Sequence, residues 1–141
     1  MIKRLAHVAL KTSDLDRLVD YYCENLDCEV VHEFKNGQDE RYGVFLAIGK
    51  SQSFIEIFNQ DNPKQIAGDG SIKHFCFEVE NISERAERFI ELGHTVAIER
   101  GRTDHILQFT VLDPDGNEIE FHQYDEDCVF WPHIQKTGNL S

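Results

Sequence analysis

His7 to Tyr22 reads HVALKTSDLDRLVDYY, and His74 to Phe89 reads HFCFEVENISERAERF. Laid over each other, both begin with a histidine, alternate as a strand, and pass into a helix-start signal. Ile55-Glu56-Ile57 similarly lies over Ile119-Glu120-Phe121. Repetition of residues as well as pattern implies an internal duplication. Its expected product is an α+β domain of two βαβββ repeats, which can pair into one curved mixed sheet around a cavity with the helices outside.

Working outward, residues 5 to 11 read as a strand, followed by Thr12-Ser13-Asp14, a helix-start signal in which Ser13 and Asp16 have capping-box spacing. Leu15, Leu18, Val19, Tyr22 and Leu26 recur at three- and four-residue intervals, which places them on one face against a sheet. Strands are expected at 28–35, 41–49 and 52–58, separated by Asn36-Gly37 and Gly49-Lys50. Asn59 to Gly70 lacks apolar periodicity and reads as the loop between repeats. The second repeat begins with a strand at 71–80. Ser83 is the expected cap of its helix, Ala86, Phe89 and Ile90 the buried face, and Gly93 the stop. Strands near 94–99, 105–112 and 117–124 follow, the last two joined by Asp113-Pro114-Asp115-Gly116. Repeat one therefore spans about 3–60, repeat two about 71–124, and 125–141 is a C-terminal tail.

The chain has 141 residues, enough for one domain with a shared core. Its net charge of -12, from 14 basic against 26 acidic residues, argues against nucleic acid, whose binding relies on Lys and Arg displacing counterions. With no long apolar run or signal-peptide pattern, the expected setting is cytoplasmic, without a membrane partner. Cys23, Cys28, Cys76 and Cys128 form no C-x-x-C pair and read as reduced thiols. For Cys23 and Cys76, burial as small apolar residues is the expected role.

Strand parity separates His7, Ala9 and Lys11 from Ala6, Val8 and Leu10, and His74, Cys76 and Glu78 from Phe75, Phe77 and Val79. Glu56 opposes Ile55 and Ile57; Glu120 and His122 oppose Ile119 and Phe121. The apolar sets can cover the helices while His7, Glu56, His74 and Glu120 point inward. Two inward carboxylates are costly to bury without a cation. Two imidazoles and two carboxylates suit one divalent ion of the Zn, Ni, Co, Fe or Mn type better than Ca or Mg.

Together with the duplicated pattern and the paired His and Glu, the stretch LDPDGNEIEF from Leu112 to Phe121 resembles the vicinal oxygen chelate superfamily, and within it glyoxalase I (lactoylglutathione lyase). The resemblance covers residues 3 to about 124 and implies the glyoxalase/bleomycin-resistance/dioxygenase fold. It places the metal ligands on His7, Glu56, His74 and Glu120. It implies isomerisation of an α-oxo aldehyde thiol hemithioacetal, of the methylglyoxal-glutathione type, through a metal-bound enediolate. Glu120 would be the base and Glu56 its counterpart. Relatives of this length usually dimerise and share ligands between subunits, so a homodimer is implied; residue order leaves open whether one chain's two halves close a site by themselves.

Three positions depart from bacterial glyoxalase I. Lys11 stands where an Arg would hold the glutathione carboxylate, and Lys lacks the bidentate fork of Arg. Gln60, beside Asn59, stands where an Asn follows the Glu, and Asp27 where a Gly ends the helix. Lys11 and Gln60 are thus the candidate substrate-binding residues, and they keep open an epimerase or thiol transferase using the same ion. A non-catalytic ligand-binding or resistance module is the third reading, disfavoured by four intact ligands. His122 shares the parity of Glu120 and is expected as a polar residue at the open end of the cup, ahead of a supporting partner of the ligands or a substitute ligand. His32, His94, His105 and His133 receive no role; Arg41, Arg100 and Arg102 read as solvated loop charges, with anchoring of a substrate anion at the cup mouth as the alternative. Val129, Phe130, Trp131 and Ile134 form an apolar cluster suited to capping a pocket or a subunit contact.

Overall fold

The structure is a computed structural model that describes residues 1, 3–60 and 72–138. Two compact units divide the chain, Met1–Ser71 and Ile72–Ser141. In the first, β1 (His7–Thr12), α1 (Leu15–Asn25), β2 (Cys28–Lys35), β3 (Arg41–Ile48) and β4 (Phe54–Asn59) form a βαβββ unit. Its sheet has the order β1-β4-β3-β2. The β1/β4 pair is parallel; the two other pairs are antiparallel. The second unit repeats this with β5 (Phe75–Glu78), α2 (Ile82–Glu91), β6 (Glu99–Arg100), β7 (Leu107–Leu112) and β8 (Glu118–Gln123), in the order β5-β8-β7-β6, and then adds α3 (Trp131–Gly138). The expected α+β architecture of two βαβββ repeats is present as two four-stranded mixed sheets.

Helix α1 buries Leu15, Leu18, Val19 and Tyr22, the face expected from their spacing. Val44, Leu46, Ile55 and Ile57 of its sheet are fully buried. In the second unit Ile82, Ala86 and Phe89 are buried, as are Phe109, Val111, Ile119 and Phe121. The Phe89 and Phe121 rings lie 5.2 Å apart, and Phe109 stacks on Phe121 at 4.7 Å. Burying each such side chain contributes about 1.5–3 kcal/mol.

Both helices start at caps other than those expected. Asp14, not Ser13, caps α1, accepting from the Arg17 backbone N–H at 3.1 Å. Asn81, not Ser83, caps α2, accepting from Glu84 N–H at 3.1 Å, while Gln123 Oε1 accepts from Ile82 N–H at 2.8 Å. Ile82, Ala86 and Phe89 face inward, while Ile90 lies at the edge of that face and is 54% exposed, against the expectation that it is buried. Gly93 does end α2: at φ +93° its N–H donates to Ile90 O and that of His94 to Phe89 O, a Schellman closure. Asp27, standing for a glycine after α1, takes φ +52°.

Strand lengths follow their partners rather than periodicity alone. β5 pairs with β8 only from Phe75↔Ile119 to Glu78↔His122, so it is shorter than 71–80. β6 is reduced to Glu99–Arg100 against β7, and His105 at φ +61° keeps β7 from starting before Leu107. The loop expected at Asn59–Gly70 lies largely outside the described residues. The C-terminal tail carries α3 at Trp131–Gly138. Among the described residues no helix is long and apolar enough to cross a membrane.

Candidate metal centre

Each unit aligns one histidine with one glutamate across its parallel strand pair. In β1/β4, Ala9 lies opposite Glu56, and His7, two residues before Ala9, points to the same face. Its Nε2 is 3.4 Å from Glu56 Oε2. In β5/β8, Cys76 lies opposite Glu120, and His74 precedes Cys76 by the same two residues. Its Nε2 is 3.2 Å from Glu120 Oε2. Both carboxylates are more buried than their imidazoles. His74 Nδ1 is buried and has no hydrogen-bond partner among the described residues. His7 packs edge-on against Phe45 at 5.9 Å, and Phe45 stacks on Phe54 at 4.9 Å, giving the first pair an aromatic wall.

The turn expected at Asp113–Gly116 aims Glu120. Asp113 is buried, and its Oδ1 accepts from the N–H groups of Asp115 and Asn117, both at 2.9 Å. Gly116 takes φ +83°, a conformation glycine adopts without steric cost. This closes the hairpin at Leu112↔Glu118 and sets Thr110 opposite Glu120. A slip of one residue would turn Glu120 toward the helix.

Two residues differ from their expected roles. His122 is more than a polar residue on this face: its Nε2 contacts Glu120 Oε1 directly, and its Nδ1 lies 3.2 Å from the Tyr124 hydroxyl. Parity put His122 on this face, but only pairing with β5 shows that Glu120 is held between two imidazoles. Cys76 is not a buried apolar filler; it is exposed on the face that carries His74 and Glu120. Partial burial of its sulfur, then the charges of Glu120 and Glu78, push the thiol up to about 12. Burial, chiefly, also pushes the Tyr124 phenol up to about 12.

Lys11 is exposed on the His7 face of β1. Gln60 follows β4, and its N–H donates to Thr12 O at 2.7 Å, closing the strand pair near Lys11. Two arginines read as solvated charges are engaged instead. Arg41 bonds Glu33 at 3.0 Å and also Asp16. Arg100 forks onto Asp125 at 3.0 and 2.8 Å and donates to His105 O at 2.7 Å. Arg102 is exposed, as expected. A cavity of about 500 Å³ lies past His122, lined by Glu78, Val79, Glu80, Gln123 and Tyr124.

The family model described as the Glyoxalase/Bleomycin resistance protein/Dioxygenase superfamily matches residues 4–121. A lactoylglutathione lyase of Escherichia coli O157:H7 is 28% identical over 123 residues, covering 83% of this chain and 90% of the relative. Among solved structures, a glyoxalase family protein from Enterococcus faecalis superposes with TM-score 0.66 at 25% identity, covering 85% of this chain and 97% of its own. The fosfomycin resistance protein FosX of Listeria monocytogenes shares the fold, with TM-score 0.66 at 21% identity over 89% of this chain and 97% of its own. A match over most of the chain, carried by the repeated units just described, settles the family: this chain belongs to the Glyoxalase/Bleomycin resistance protein/Dioxygenase superfamily.

Proposed function

We propose that the chain is a glyoxalase I-like metalloenzyme that isomerises the hemithioacetal of an α-oxo aldehyde and a thiol, of the methylglyoxal-glutathione type. One observation carries this reading. The same His–Glu pair occurs at the same strand offset in both units, with N···O separations of 3.4 and 3.2 Å. The resemblance to lactoylglutathione lyases supports it.

The donor set fits a divalent ion of the Zn, Ni, Co, Fe or Mn type: two imidazole nitrogens and two carboxylates, with no backbone carbonyl needed. His7, Glu56, His74 and Glu120 would hold it. The chemistry supplied by a bound ion is polarisation of a substrate oxygen and stabilisation of the negative charge that develops there. A site takes one pair from each kind of unit, and in the homodimer implied by the resemblance the two pairs come from different chains.

The chain's own residues then handle the proton. Glu120 accepts it from the substrate carbon and returns it to the adjacent carbon, a transfer that demands a carboxylate within hydrogen-bond reach. Both Glu120 oxygens face an imidazole, Oε2 that of His74 and Oε1 that of His122, so one contact loosens as Glu120 takes the proton. Glu56 is its counterpart in the first unit. Phe45 and Phe54 stand as an aromatic wall beside the first pair, and Lys11 offers a point charge to the carboxylate of the thiol carrier. Because Lys11 replaces the arginine fork, a related reaction on another thiol or carboxylate, such as epimerisation or thiol transfer, is the second reading.

The test is metal content and methylglyoxal-glutathione isomerisation measured on one sample, reloaded in turn with Zn, Ni, Co and Mn, beside Glu56→Gln. About one ion per site and turnover lost in the variant are expected. Tight metal without turnover transfers the proposal to the second reading, and no stoichiometric metal under any loading overturns both.

A further inference from the structure

The two repeats are not equivalent at the residues that follow each histidine and glutamate. Where the first unit has Ala9 and Phe58, the second has Cys76 and His122 at the matching register positions. The first unit therefore offers one imidazole and one carboxylate. The second adds a thiol and a second imidazole on the same face. The donor atoms of Cys76, Glu120 and His122 all lie within 4.8 Å of one another, and Cys76 and Glu120 are opposed across a parallel pair whose register the Asp113 turn sets.

We infer that Cys76, Glu120 and His122 form a second metal site, complete within the second unit, that takes a thiophilic divalent ion such as Zn²⁺ or Co²⁺ and competes with the shared His–Glu site for Glu120. One sulfur, one nitrogen and one oxygen ligand leave a fourth tetrahedral position for water. Thiolate ligation selects such ions over Mn²⁺, which prefers oxygen. On binding, the Cys76 thiol loses its proton to solvent as the sulfur–metal bond forms, with no change of oxidation state. Tyr124 contacts the far nitrogen of His122, leaving Nε2 as its ligating atom once the Glu120 contact is replaced by the ion. Since Glu120 belongs to both sets, an ion held here removes the carboxylate proposed as base. That consequence rests on the isomerase reading; the site itself does not.

The full chain, stripped with a chelator and titrated with Co²⁺ in the absence of substrate, tests the site by its spectrum. A thiolate-to-cobalt charge-transfer band in the near ultraviolet is expected, lost in Cys76→Ser and kept in His7→Ala. No such band, or one that survives Cys76→Ser, overturns the proposal. Zinc-edge X-ray absorption on the unsubstituted chain needs no variant to fold: a sulfur neighbour at about 2.3 Å is expected, and a shell of nitrogen and oxygen alone overturns the site. Neither readout involves turnover, so a silent methylglyoxal-glutathione assay counts only against the isomerase, and a missing sulfur signal only against this site.

Discussion

Asp113 grips Asn117 at both ends of its carboxylate: Oδ1 accepts from the Asn117 backbone N–H at 2.9 Å, and Oδ2 from its side-chain amide at 2.8 Å. The grip fixes the β7–β8 turn three residues before Glu120. Hydrogen bonds to a charged group contribute about 1.5–3 kcal/mol. Asp113→Ala should therefore cost about 3 kcal/mol in urea unfolding and lower kcat by loosening the aim of Glu120. A variant of unchanged midpoint would show that the turn closes without the carboxylate.

Glu120→Gln keeps the shape of the side chain and removes its capacity to take a proton. If Glu120 is the base, kcat falls by about 10²–10⁴-fold at matched metal content. Glu56→Gln should then reduce metal affinity as well as rate. Equal loss in the two variants, with metal retained, would assign the proton transfer to both carboxylates jointly.

Gly43 is buried beneath the Phe58 ring, and a Cβ there would stand 2.5 Å from Phe58 Cδ1 and 3.1 Å from Ile57 O. The ring can move but the backbone oxygen cannot move far without disturbing β4, which carries Glu56. Gly43→Ala should destabilise the fold by about 1–3 kcal/mol, read as a shift in the denaturation midpoint. The double variant Gly43→Ala, Phe58→Ala should recover part of that loss if the ring is what the methyl meets.

The guanidinium of Arg100 holds the Asp125 carboxyl below the ordinary carboxylate range. Its folded value is depressed, so the stabilisation is present above the unfolded value and disappears as pH falls through the folded one. The Arg100–Asp125 link joins β6 to the segment leading into α3. The carbon resonance of the Asp125 carboxyl should titrate below its model-peptide position, returning to it in Arg100→Gln, and α3 should loosen on acidification before the sheets do. An Asp125 midpoint unchanged by Arg100→Gln would remove the arginine as its cause.

Much of this architecture was legible in residue order, because strand and helix periodicity and the repeat are local properties. The unit order, the α1 face and the Gly93 stop follow from spacing alone. So does the parity that sets His7, Glu56, His74 and Glu120 opposite the buried apolar residues of their own strands, which depends only on counting by twos. Caps were less legible: Ser13 and Ser83 have the right chemistry, yet Asp14 and Asn81 serve, because the burial of Leu15 and Ile82 chooses where each helix begins. Ile90 was misplaced because spacing alone does not say how wide a helix face the sheet covers.

What pairing alone decided is which donors meet. Periodicity assigned Cys76 and His122 to a face without saying that β5 and β8 are neighbours in parallel register, and it is this register that sets a thiol and two imidazoles around Glu120. The same holds for Arg41 and Arg100, whose partners Asp16, Glu33 and Asp125 lie 8 to 25 residues away in the chain. Residue order determined the repeat, the elements and the orientation of the site residues, since those depend on contacts within a few residues. Tertiary structure decided helix starts, strand ends and the company kept by Glu120, since those depend on which distant strand supplies the hydrogen bonds.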